Sequence, residues 1–388
     1  MELRRITKHC CAPLHSGSRL LNSKEKMAVT VSNANADRVV YMSDLHKRGP
    51  VLAGWERLRH GKLHWLAEAF AEMMGVFFYV YAGVGSQAVF VIGGLTKQAG
   101  LSCSSSTFIT SPLDVNRQNP CEAVLQVGFA YACGILFAIS ICSATSGGHF
   151  NPCITIVMTL FKGFPPLKCA RYLVAQILGG YLACLFVYLQ YSTIIHEIEA
   201  ALGPELATIN FTPNGPAGIF GFYLLPGSSV GHAFVNEFVC DFLIAMVIFG
   251  AIDPSNVLVP PSGAPFLIAL AYGVMIWGFS AVGLAANTAR DLGGRFAAMT
   301  IWGTAAAGPS GYSAITALTN IPATILAYIV YELMFVDSDR VVSQAQREFH
   351  DVHALHRRLG PAAHATADDE SGNSIGMEKE HVGTAERV

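Results

Sequence analysis

Two stretches carry residues whose types and spacing suit molecular recognition. Residues 146–155 read SGGHFNPCIT, and residues 284–295 read LAANTARDLGGR. Each places an asparagine, Asn151 or Asn287, at the head of a short apolar run, where Asn is a favoured helix N-cap. A helix N-terminus has unpaired N–H groups and about half a positive charge. Two such ends, each with an amide side chain, can donate hydrogen bonds to a neutral guest and repel cations. Arg290, Asp291 and Arg295 add formal charge to a chain that is otherwise oily. A charge in hydrocarbon costs roughly 2.5–3.5 kcal/mol on insertion scales, so these groups must pair or line a cavity. The chemistry indicated is hydrogen-bond recognition rather than bond making. No Ser–His–Asp set, HExxH or P-loop is seen, and no cofactor, metal or nucleic-acid partner is expected.

The elements that must hold these residues are membrane helices. Of 388 residues, 52% are hydrophobic and 13% charged, with mean hydropathy +0.42. A soluble domain carries about 25% charged residues. Six apolar runs, 65–92, 121–143, 168–190, 232–252, 265–286 and 311–336, are long enough to cross about 30 Å of hydrocarbon. Two further pieces, 151–161 and 287–302, are too short to span. In the second, the helix is expected to cover only about the first ten residues, or about 15 Å. Both read as half-helices that dip in and return. Residues 1–64 are polar and basic with no apolar leader core, so the first span is expected to act as its own insertion signal. Ten cysteines without CxxC spacing read mainly as small hydrophobes, while Cys103 and Cys121 flank one loop and can pair if it is extracellular.

Basic residues set the expected orientation. Residues 1–64 hold twelve Lys and Arg, the C-terminal tail six, and the loop 191–231 none. Both termini should therefore be cytoplasmic, and loops 93–120 and 191–231 outside. The sequon at Asn210 falls in the second of these and is a glycosylation candidate. The order span, span, half-helix, span occurs twice, at 65–190 and 232–336, each copy opening near a glutamate, Glu72 or Glu237. Three spans per copy make the repeat inverted, so the half-helices should enter from opposite faces and meet N-terminus to N-terminus. Backbone leading into them, 146–149 and 283–286, must leave carbonyls unpaired, which membrane depth tolerates only beside protein or water. Carbonyl acceptors, two amide donors and an apolar opposite wall make a path for small neutral molecules.

These residues resemble the signature loops of the major intrinsic proteins, the aquaporins and aquaglyceroporins, over about residues 65–336. The boxes Asn151-Pro152-Cys153 and Asn287-Thr288-Ala289 depart from the usual Asn-Pro-Ala and look like those of the fungal X-intrinsic subgroup. The resemblance implies an all-α fold of six spans and two re-entrant half-helices, a homotetramer with one pore per chain, and passive conduction of water and small uncharged solutes such as glycerol, urea or hydrogen peroxide. It implies that Arg290 lines the outer constriction together with Tyr131, Met275 and Leu284. For Met275 and Leu284 plain helix packing is the alternative, and for Arg290 a structural pairing. Met and Leu there suit a solute with a carbon backbone. It also implies that Glu72 and Glu237 hold loop backbone, and His149 reads as a loop-packing residue. Asp291 and Arg295 read either as solute contacts or as an ion pair that holds the loop. Asp241 receives no role.

Two rivals remain at this point. One is a proton-coupled transporter using Glu72, Glu237 and Asp241, and the other a non-conducting adhesion protein of the same fold. The domain reading is an N-terminal tail 1–64, a channel domain 65–336 and a C-terminal tail 337–388, in a plasma-membrane protein. Within the tails, 1–45 and 361–388 read as disordered. Residues 338–359 read as a helix with an apolar stripe of Val341, Ala345, Val352, Leu355 and Leu359.

Overall fold

The apolar runs become helices whose ends are set by Gly, Pro and Asn. The computed structural model describes residues 42–98 and 120–359. In chain order the main helices are α1 (Pro50–His60), α2 (His64–Gln98), α3 (Pro120–Ser146), α4 (Pro152–Phe161), α5 (Pro166–Leu202), α6 (Val230–Ile252), α7 (Ala264–Phe279), α8 (Thr288–Trp302), α9 (Ser310–Leu318), α10 (Asn320–Met334) and α11 (Gln344–Leu359). Six helical stretches are long and apolar enough to cross a membrane, α9 and α10 together making the sixth. The described residues include no strand. Large apolar side chains such as Phe137, Ile141, Val174, Leu189 and Leu333 stand exposed on the helices, as a surface bathed in lipid permits. The chain divides into two compact units, residues 1–56 and 57–388. In the first, Arg48 pairs with Glu56 at 3.5 Å.

Several boundaries differ from the sequence reading, each for a physical reason. The third span runs to Leu202, well past residue 190, and its far end is tied down by Trp302 Nε1 donating to Glu199 at 2.7 Å. The fifth ends at Phe279 with one 3₁₀ turn, because Gly283 at φ +99 turns the chain out of the helix. A side chain at that glycine would strike the Tyr312 hydroxyl. The second half-helix has 15 residues rather than about ten, since nothing breaks it before Gly303 at φ +77. The sixth span is divided at Thr319, because Pro322 has no N–H for the carbonyl of Leu318. The tail helix starts at Gln344 rather than 338, behind a turn that Asp337 closes on Asp339 and Arg340. Its stripe residues Val341 and Val352 are exposed. Helix α1, inside the segment read as a polar tail, was missed; Pro50 at its first position was the available signal. Cys103, and with it the proposed pairing with Cys121, lies outside the described residues, as do residues 1–41 and 361–388 of the tails; Met42–Leu45, at the end of the segment read as disordered, is a short helix.

Close helix packing rests on small residues. Where α5 crosses α8, a Cβ on Gly180 would lie 2.6 Å from the Ala289 carbonyl, and one on Gly293 would lie 2.5 Å from the Tyr181 nitrogen. Glycine at both positions lets the second half-helix seat directly against α5.

Candidate functional site

Each half-helix is capped by its asparagine. Asn151 Oδ1 accepts from the Cys153 N–H at 3.2 Å, and Asn287 Oδ1 accepts from Ala289 and Arg290 at 2.8 and 3.3 Å. Capping turns each Nδ2 away from its own helix and toward the other loop. Asn151 Nδ2 donates to the Ala286 carbonyl at 3.1 Å, and Asn287 Nδ2 donates to the Phe150 carbonyl at 2.9 Å. The two N-termini therefore meet through reciprocal amide–carbonyl bonds. Pro152 occupies the first turn of α4, where its missing N–H costs nothing. Cys153 is buried with Leu284 and Ala286 in one apolar cluster. Thr288 donates its hydroxyl to Asn320 at 2.8 Å, a partner that proline could not have.

The residue before each asparagine, Phe150 or Ala286, sits in the left-handed region at φ +47 or +54. Non-glycine residues adopt this at a cost, and only where surroundings over-determine it. Here a buried glutamate does so. Glu72 accepts from the N–H groups of His149 and Phe150 at 3.0 and 2.7 Å, and Glu237 accepts from Ala285 and Ala286 at 2.9 and 2.7 Å. Gln176 braces Glu72 at 2.7 Å and also donates to Thr155. Asn236 holds the carbonyls of Phe279 and Gly283. His149 packs on the rings of Phe164 and Tyr172 and reaches Thr155 through Nδ1 at 3.2 Å. Some of the expected carbonyl row is thus occupied, including Ser146, which accepts from Tyr172. Among the described residues, no protein donor reaches the carbonyls of Leu284 and Ala285, both of which line the cavity.

That cavity has a volume of about 330 Å³ and extends from the loop 213–225 down to Asn287. At about 30 Å³ per molecule it has room for on the order of ten waters. Arg290 is buried in its wall, 3% exposed. Its Nε donates to the Tyr131 hydroxyl at 3.0 Å and its Nη1 to the Phe220 carbonyl at 2.6 Å. The guanidinium lies 4.0 Å from the ring centre of Phe222. A guanidinium has five N–H donors, so donors remain for a guest.

The structure brings Tyr131, Leu284, Arg290 and Asn287 together around this cavity. Met275 is not among the lining residues. Its neighbour Ile276 is, although both side chains belong to the apolar cluster around Cys153. The α7 residue that lines the cavity near this position is thus one beyond the expected Met275. Asp291 and Arg295 form a buried pair at 2.7 Å, and neither is among the cavity-lining residues; Arg295 also bonds the carbonyls of Ala307 and Phe222 and the Thr316 hydroxyl. This pair holds the loop that carries Phe222, so it belongs to the support. Asn210 is buried, with Oδ1 accepting from Ala217, so the folded chain does not offer that amide to a glycosylating enzyme. Sequence reasoning missed Phe220, Phe222, Tyr79 and Tyr272. Loop aromatics carry no pattern, and tyrosines in an apolar span read as packing. Gln176 and Asn236 were legible in principle, as polar side chains inside spans.

Two re-entrant half-helices joined at their capping asparagines inside six spans define a membrane channel. The family model for major intrinsic proteins matches residues 59–309, and the chain belongs to that family. It is similar to an aquaporin of Laccaria bicolor, 52% identical over 345 residues, covering 87% of this chain and 98% of the relative. Aquaporin-3 of the same fungus is 53% identical over 328 residues, covering 84% and 93%. Among solved structures the aquaglyceroporin from Plasmodium falciparum shares the fold, with a TM-score of 0.55 at 19% identity over 70% of this chain and 96% of the other. The protein is an integral multi-pass channel for water and small solutes, and members of this family are channels rather than enzymes.

Proposed function

We propose that this channel passes small uncharged polyols such as glycerol together with water. The observation that carries the reading is the mixed lining of the outer cavity. One part of the lining presents Arg290, backed by the Phe222 ring, and the Tyr131 hydroxyl; another presents the apolar side chains of Ile276 and Leu284. A polyol has hydroxyls to meet the first and a carbon backbone to meet the second. The N-termini of α4 and α8 and the Arg290 charge oppose cations and protons. Glu72 and Glu237 each have both oxygens committed to backbone N–H groups, which favours passive conduction over a proton-coupled cycle. By family resemblance the channel is a homotetramer with one pore per chain, in the plasma membrane, with both termini cytoplasmic.

The test is stopped-flow light scattering on proteoliposomes, with water, glycerol, urea and hydrogen peroxide compared in one preparation. Water and glycerol should equilibrate faster than in empty vesicles and never accumulate against a gradient. Water flux without glycerol flux would remove the polyol reading. Accumulation would support a coupled transporter, and no flux at all a non-conducting protein.

A further inference from the structure

The wall opposite the carbonyls is not wholly apolar at the pore centre. Tyr272 on α7, one turn before Ile276, also lines the cavity. Its hydroxyl lies 3.4 Å from Asn151 Nδ2. The same nitrogen donates to the Ala286 carbonyl at 3.1 Å, so both amide hydrogens of Asn151 have protein partners. Among the described residues, Asn287 Nδ2 has one partner, the Phe150 carbonyl, and keeps a hydrogen for a guest. The two asparagines look equivalent in sequence and are not equivalent in space. At 3.4 Å the Tyr272 contact is long for a hydrogen bond, hence weak and exchangeable.

We infer that Tyr272 is a specificity-determining residue whose hydroxyl competes with the permeating solute for the amide of Asn151. Asn287 and Tyr272 line the cavity and Asn151 does not, so a guest reaches the Asn151 donor only by displacing the phenol oxygen. This handicaps water most, since water has a single oxygen with which to meet both asparagines. A polyol carries several hydroxyls and can satisfy Asn287 and the carbonyls without using Asn151. Tyr272 thus tilts the pore away from water and toward solutes with more than one hydroxyl, an inference resting on the conducting polyol channel proposed above.

Tyr272→Phe keeps the ring and removes only the competitor. Water permeability per channel should rise roughly two- to fivefold, the scale of one weak hydrogen bond. Glycerol permeability should rise less, so the water-to-glycerol ratio increases. Tyr81→Phe is the control, because the Tyr81 hydroxyl bonds Gln190 at 2.9 Å and is not part of the cavity lining. It should leave the ratio near wild type. Unchanged or reduced water flux in Tyr272→Phe overturns the inference, as does an equal rise in Tyr81→Phe. If wild-type channels pass no glycerol, the polyol reading fails by itself, and the water arm still decides whether Tyr272 competes at Asn151.

Discussion

At Arg290 one side chain has both a structural and a functional task. It ties Tyr131 to the loop carbonyl of Phe220 and stacks on Phe222, yet its remaining donors and its charge face the cavity. Arg290→Ala should raise proton or cation conductance severalfold and loosen discrimination among solutes, read as a pH-gradient decay and as flux ratios in liposomes. A variant with wild-type selectivity and no leak would make Arg290 structural only. One position on α7 separates lining from packing. Ile276→His should narrow the cavity and lower the glycerol-to-water ratio, because a polar ring replaces part of the wall for the carbon backbone. Met275→His should leave that ratio within about twofold of wild type, since Met275 is off the lining. The reverse order in parallel flux assays would return the filter to Met275. Thr288 suits proline by position, as the first helical residue, but its hydroxyl donates to Oδ1 of buried Asn320, whose Nδ2 has no partner among the described residues. Thr288→Pro should therefore cost about 1–3 kcal/mol of stability. Flux per folded channel should stay unchanged, and thermal melting alongside counted-channel flux separates the two effects.

The elements meet through small residues and buried polar locks rather than through large side chains. The seat of α8 on α5 has no space for a methyl group at Gly293, where a Cβ would strike backbone that cannot swing aside. Gly293→Ala should lower the melting temperature and the yield of folded channel, although alanine is the better helix former. A variant as stable as wild type would mean that the two helices can separate at small cost. The inverted copies use one scheme twice: a span glutamate receives two N–H groups from the loop, and the residue before the asparagine takes a left-handed conformation. The second copy adds the Asp291–Arg295 pair, which anchors the Phe222 loop and explains why the membrane tolerates those charges. Removing one partner of such a pair leaves the other buried and uncompensated.

For the whole molecule, the basic residues in the two tails argue for cytoplasmic termini. Cysteines introduced at Asn214 or Asp339, in a chain with Cys10, Cys11, Cys103, Cys121, Cys133 and Cys169 changed to serine so that only the buried Cys142, Cys153, Cys184 and Cys240 remain, test this. A membrane-impermeant maleimide should label position 214 in intact cells and position 339 only after permeabilisation. The opposite pattern would invert the orientation.

The sequence by itself determined the six spans, the two half-helices and the residues at their heads. These follow from local rules: apolar length against bilayer thickness, Asn as a cap, Gly and Pro as breaks. It also carried the charges that had to be paired or placed in a cavity. Tertiary structure alone decided which of Met275 and Ile276 faces the cavity, because a single residue on a helix turns a side chain by about 100° and helix rotation is fixed by packing partners. It alone brought Phe222 from a loop onto Arg290, joined Thr288 to Asn320, and set the Tyr272 hydroxyl beside Asn151. Contacts between residues so far apart in the chain leave no local pattern; they exist only once the two copies have closed on each other.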